Sequence, residues 1–132
     1  MWVRTWPLTP SSYGARGVGN RGDGERAHRH TITQTFRVLR GLALVSLEGD
    51  ELLLTPSSGT LFAPSGSWHG LVVLEDGTEY ESVFAEADGQ AVDGARIRRE
   101  QVPSIMPAEA AARRAQLDRA GYPRTAAELQ YA

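Results

Sequence analysis

GERAHRHTITQTFRVLRG, residues 24–41, is the stretch whose reading decides how this chain folds. In an extended strand successive side chains alternate between faces, so His28 and His30 point the same way with Cα atoms roughly 7 Å apart. Gln34, Phe36 and Val38 share that parity, while Arg29, Thr31, Thr33, Thr35 and Arg37 take the other. One face therefore carries two imidazoles, an amide and an apolar wall, and the opposite face is polar, as a solvated surface should be. Two imidazoles at this spacing can grip one ion, and neutral imidazole is the side chain most often found on a catalytic metal. The third and last histidine, His69, closes a second stretch, SGTLFAPSGSWH, residues 58–69.

Working outward, residues 34–40 are followed by GLALVSLEGDELLL, two apolar runs joined at Glu48-Gly49-Asp50, which is a hairpin signal. Residues 60–63, 68–74 and 80–85 read as further strands, the last two separated by a turn at Glu75-Asp76-Gly77. Short strands with turn chemistry between them predict an antiparallel sandwich or barrel. No connection among them is long enough for a crossover helix, which argues against a parallel sheet. On the last strand Tyr80, Ser82 and Phe84 share a face and should point inward; Leu71 and Val73 share the parity of His69 and should line the same pocket. Trp68, of opposite parity, should pack at the edge.

On these two stretches the chain resembles the cupin family. The family's first motif is Gly, five residues, His-x-His, three or four residues, Glu, six residues, Gly. Here His28-x-His30, three residues, Gln34, six residues and Gly41 keep that spacing, with Gly24 two residues nearer His28 than usual. The second motif is Gly, five residues, Pro-x-Gly, two residues, His, three residues, Asn. Pro64, Gly66 and His69 fit it, Ser58 stands at the leading glycine and Val73 at the asparagine. The resemblance covers about residues 27–85 and implies an all-β, antiparallel jelly-roll barrel with one divalent metal, zinc, manganese, nickel or iron(II). It places all three histidines, His28, His30 and His69, on ligand positions, with Gln34 as the fourth ligand in place of glutamate.

That replacement shapes the expected chemistry. An amide can coordinate through oxygen but cannot act as a general base, and it leaves the site one charge more positive. The metal becomes a stronger Lewis acid toward a carbonyl or enolate oxygen. Cupins with three histidines and a glutamine are similar to those that open unsaturated sugar acids or cyclise polyketides without redox chemistry. The expectation is a metal-dependent isomerase, cyclase or lyase acting on a small oxygenated substrate. Tyr80 is the candidate acid or anchor, and Phe36, Val38, Leu71, Val73 and Ser82 line the substrate pocket. The alternatives are an iron(II)-dependent dioxygenase and a non-catalytic small-molecule-binding barrel.

The remaining sequence sorts into an N-terminal strand (1–10), a Gly-rich loop (11–26), the barrel core (27–86) and a polar connection with C-terminal helices (87–132). Trp2, Arg4 and Trp6 alternate with Val3 and Thr5, and Pro7 and Pro10 should end that strand. SSYGARGVGNRGDG, with five glycines, reads as a long mobile loop or lid; its Arg21-Gly22-Asp23 tripeptide is too short to carry meaning. In the tail, Gln101-Val102-Pro103 is at most a short strand. Pro107 opens a helix that Gly121 stops, Glu109 pairs with Arg113, and Thr125 with Glu128 signals a capping box. The tail is too short for a helix-turn-helix and should dock on the barrel or on another subunit.

All fourteen basic residues are arginine, and residues 41–95 hold ten acids and no base, which argues against a nucleic-acid surface there. With no cysteine, disulfides and thiolate metal sites are excluded. No apolar run approaches membrane-spanning length and the start has no signal-peptide pattern, so a soluble cytoplasmic protein is expected. The tryptophan-bearing first strand supplies an edge for a homodimer.

Overall fold

The computed structural model describes residues 2–86 and 105–131. Two antiparallel sheets carry nearly all of it. One has the order β1(Trp2–Thr9)-β2(Ser12–Gly19)-β9(Thr78–Ala85)-β4(Thr33–Arg40)-β7(Leu61–Ala63). The other has the order β3(Gly24–His28)-β8(His69–Val73)-β5(Ala43–Leu47)-β6(Asp50–Leu54). Phe36, Val38, Ala63 and Tyr80 from the first sheet meet Ala43, Val45, Leu54 and Leu71 from the second, so the core lies between the sheets. This is the jelly-roll arrangement; among the described residues the two sheets do not close into one continuous hydrogen-bonded barrel.

The strands form where the alternation predicts them. The hairpin turns on Glu48 and Gly49, both at positive φ (50° and 84°), with Leu47 paired to Asp50, the geometry that matches strand twist. Gly41 is needed at the end of β4: its φ is +95°, and a Cβ there would lie 2.3 Å from Thr78 Oγ1. Thr78 is itself fully buried and accepts the Leu42 N–H at 3.1 Å, tying this turn to the start of β9.

Three expectations are overturned. Residues 11–26 are neither a loop nor a lid: β2 lies between β1 and β9, and β3 belongs to the second sheet. Glycines in β2 are packing devices, because a Cβ on Gly14 would come within 2.5 Å of the Trp6 ring and one on Gly17 within 2.5 Å of the Tyr80 ring. The sheets accordingly begin at residue 2, not 27. Pro7 does not end β1, which runs to Thr9. As an edge strand β1 can accommodate a residue without an N–H, and its register shifts just beyond, between Pro7 and Thr9. Trp6 covers Gly14 on the sheet face, as cover was expected to do, with the Arg4 guanidinium 5.5 Å from its ring centroid.

Helix α1(Pro107–Ala120) begins on its proline and ends at Gly121, which adopts the left-handed conformation at φ 75°. Leu117 packs with Leu42, Leu44 and Leu74, docking the helix on the chain's own second sheet. Glu109 and Arg113 stand 3.9 Å apart. A 3-10 turn follows over Ala126–Tyr131; the Glu128 carboxylate accepts from the Arg124 N–H, one residue earlier than a capping box at Thr125 requires. Arg21, almost fully buried, donates to the carbonyls of Leu74, Pro123 and Tyr122 and pairs with Asp118 at 3.0 Å, so it clamps the helix end to the sheet. The expected short strand at Gln101-Val102-Pro103 lies outside the described residues. No described helix is long and apolar enough to cross a membrane.

Candidate metal centre

Strand β3 ends at His28, and the chain then crosses from the second sheet to the first, entering β4 at Thr33. The histidine pair therefore sits at the mouth of the space between the sheets rather than along one continuous strand. His28 faces His69 directly across the β3–β8 ladder. His30, on the crossing segment, is held by its carbonyl, which accepts the Gly66 N–H at 2.8 Å. That contact explains why the Pro64-Ser65-Gly66 turn has to stand beside the histidines. Gln34, fully buried on β4, lies opposite Ala63 and Phe84.

Each imidazole is oriented by a backbone carbonyl on its Nδ1 side: Arg26 for His28, Ile32 for His30, and Ser67 for His69 at 2.9 Å. A proton on Nδ1 donating to a carbonyl leaves the lone pair on Nε2. These Nε2 atoms converge. His30 and His69 Nε2 are 3.1 Å apart, and Gln34 Oε1 lies 3.3 Å from the first and 3.1 Å from the second. The three histidine ligand atoms all fall within 4.8 Å of one another. His28 Nε2 is buried without a hydrogen-bond partner among the described residues. Four acceptors around one point with no donor between them repel, and a cation is what satisfies them. The donor set of three imidazole nitrogens and an amide oxygen suits a borderline divalent ion.

Burial is the first reason the His69 imidazole resists protonation, its pKa falling to about 4, with the neighbouring His28 and His30 adding to the effect. His28 is lowered for the same leading reason, opposed by its bond to the Arg26 carbonyl. Neutral, ligand-ready imidazoles are the result.

The other expected site residues divide. The Phe36 ring stands 5.8 Å from that of His69, and Ser82 Oγ accepts from Gln34 Nε2 at 3.3 Å. Leu71 joins the same core as Phe36 and Val38. Tyr80 is buried opposite Val38 and Gly17, and burial, then the charges of Glu25 and Asp23, push its hydroxyl well above the ordinary tyrosine range. Val73 is buried but stands at the far end of β8, opposite Ala43 and in reach of Gly19, away from the histidines. Trp68 is half exposed, pointing outward as its parity predicts, with the Arg29 guanidinium 5.6 Å from its ring centroid.

Sequence reasoning missed two parts of this site. Tyr13, from the misread loop, stacks on Phe84 at 4.9 Å, and Phe84 in turn stands 6.1 Å from the His30 ring, so the two aromatics with Ile32 wall the site on the first sheet. More consequential is Glu25, which is 3% exposed on β3 opposite Leu71. By parity it should face away from His28. The register of β3 shifts between Glu25 and His28, leaving Arg26 and Ala27 outward and both flanking residues inward. Burial raises the Glu25 carboxyl to about 7, against the lowering effect of a hydrogen bond with the Gln34 side chain. The only sequence signal was an acid beside a motif glycine.

No protein-family model matches the sequence, and no curated protein matches it. Among solved structures the chain is similar to KdgF from Halomonas sp., 27% identical over 64% of this chain and 76% of that one, with a TM-score of 0.59. It is similar to an RmlC-like cupin from Shewanella frigidimarina, 20% identical over 64% of this chain and 75% of the other, TM-score 0.55. A third similarity is to a chain from the structures of the DMSP lyases RdDddP and RnDddQII, 28% identical over 61% of this chain and 41% of that chain, TM-score 0.52.

Proposed function

The chain belongs to the cupin superfamily, and from that premise we propose that it is a metal-dependent enzyme acting on a small oxygenated substrate by non-redox chemistry of the isomerase, cyclase or lyase type. The observation that carries the reading is the convergence of His28, His30 and His69 Nε2 with Gln34 Oε1. These four residues would hold one divalent ion, zinc, manganese, nickel or iron(II). Bound there, the ion supplies a Lewis acid for a substrate oxygen. Gln34, a neutral amide, takes no proton, which favours polarisation over base chemistry at the ligand itself. Tyr80 keeps its proton throughout the physiological range and is suited to donate to a substrate oxygen. Phe36, Val38 and Leu71 keep water from the space behind the histidines. The lyase activity of a matched protein at 28% identity supports a non-redox reaction.

The test is metal content followed by substitution. Protein purified from its own host should carry close to one divalent ion per chain by elemental analysis, and His69→Ala should lose both the ion and turnover. Stoichiometric metal retained by that variant would remove His69 from the centre. Oxygen consumption during turnover would replace this reading with the iron(II) dioxygenase, and a wild-type protein that binds no metal on titration would leave a non-catalytic binding barrel. We further propose a homodimer through the β1 edge, where Val3 and Leu8 are exposed; light scattering decides it.

A further inference from the structure

A carboxamide is nearly symmetric in shape, so which end of Gln34 faces the histidines is decided by its partners. The imidazole Nε2 lone pairs favour an N–H turned toward them, which would present the wrong end to a cation. The Ser82 hydroxyl is indifferent, since it can rotate to donate or accept. The remaining neighbour is Glu25, whose side chain hydrogen-bonds with that of Gln34. A carboxylate only accepts, so it selects the orientation with the amide nitrogen outward and Oε1 among the histidines, which is the orientation seen.

Nothing in the fold itself calls for an acid at position 25. It faces Leu71 from a strand, it is buried, and its Oε2 has no hydrogen-bond partner among the described residues. The register shift between Glu25 and His28 is what turns it inward. We infer that Glu25 is a positioning residue for the metal centre: it fixes the Gln34 amide with its oxygen toward the ion and places behind that neutral ligand the carboxylate that the ligand position itself lacks. The inference rests on the metal reading above. It goes beyond that reading in dividing one role between two residues, with coordination at Gln34 and charge and orientation at Glu25.

Cobalt(II) titration of the metal-free full chain, by competition with a chromophoric chelator, tests it alongside the cobalt absorption spectrum and thermal unfolding. Glu25→Leu should bind cobalt roughly 10- to 100-fold more weakly than wild type, the range typical of residues that orient a metal ligand. Its spectrum should shift to match that of Gln34→Ala, because both have lost the amide oxygen. Glu25→Gln, which still offers an accepting oxygen, should fall between Glu25→Leu and wild type. Wild-type affinity and spectrum in Glu25→Leu overturn the inference. If Glu25→Leu does not fold, Glu25→Gln decides: weaker binding than wild type supports the role and equal binding overturns it. A wild-type chain that binds no cobalt overturns the metal reading and this inference together, whereas cobalt binding that is insensitive to Glu25 overturns this inference alone.

Discussion

His28 and His69 are direct partners across the β3–β8 ladder, their ring centroids 4.5 Å apart. A cross-strand pair is the most rigid way two side chains from distant parts of a sequence can be brought together, because the ladder fixes both backbones. Their convergence with His30 and Gln34 is built into the sheets, and the metal-free protein holds these acceptors in mutual repulsion. Metal binding should therefore stabilise the fold by mass action, by about 4 kcal/mol at a thousandfold excess over Kd, on the order of 10 °C in Tm. Thermal unfolding with and without a strong chelator measures this. His69→Ala should abolish the difference between the two curves, and a chelator-sensitive Tm in that variant would contradict it.

Gly17→Ala should destabilise the protein by ~1–3 kcal/mol, because the new Cβ would sit 2.5 Å from the ring of a Tyr80 that has no room to retreat. Gly14→Ala makes an equally close contact, with Trp6, but that ring lies partly exposed on the edge strand and can shift. Urea denaturation should rank Gly17→Ala as the more damaging of the two.

These two glycines also show where the sequence was legible and where it was not. From residue 33 onward alternation alone places the strands, because apolar side chains mark the buried face at every second position and the Glu48-Gly49 turn sets the hairpin. The ligands are legible for the same reason, with spacing converting directly into a shared face. In β2 the inward positions are shared with rings from neighbouring strands, so glycine stands where a large residue would signal burial, and local composition mimics a loop. Glu25 was hidden differently. Period-two reasoning assigns it to the face opposite His28, and only the pairing register with β8 reveals the extra residue that reverses it.

Arg21→Ala should cost ~3–5 kcal/mol, since it leaves the Asp118 carboxylate and three carbonyls without the guanidinium that joins them. Helix α1 and the 3-10 turn should become more accessible to protease and to amide exchange, while the histidine cluster on the other parts of the sheets stays in place. A chemical-denaturation series with a cobalt titration separates the two effects. Loss of metal binding equal to that of His69→Ala would show the clamp to be part of the centre.

Gln34→Glu should destabilise the metal-free protein by ~2 kcal/mol or more at pH 8, because it sets a second buried carboxyl against Glu25. The penalty should shrink toward pH 4.5, where both groups hold protons, and Glu25→Gln in the same chain should remove most of it at pH 8. Denaturation of the four chains in chelator gives the coupling energy directly. An additive result would mean that the two side chains do not meet.

The pH dependence of the metal-free protein combines two opposed groups. Glu25 is raised from 4.5 to about 7, so the folded state binds its proton more tightly than the unfolded chain does. Stability from this group is fully present below 4.5 and is lost as pH rises through 7, by roughly 3 kcal/mol. His69 is lowered from 6.5 to about 4, so its contribution is present above 6.5 and is lost as pH falls through 4. Between pH 4.5 and 6.5 the two slopes oppose each other, and substitution separates them. With chelator present, Glu25→Gln should be more stable than wild type at pH 8, should lose that advantage as pH falls to 4.5, and should then show the uncompensated acid loss of His69. Urea midpoints from pH 4 to 8 for both chains check it; an advantage for Glu25→Gln that grows toward low pH would reverse the sign and refute the buried-carboxylate account.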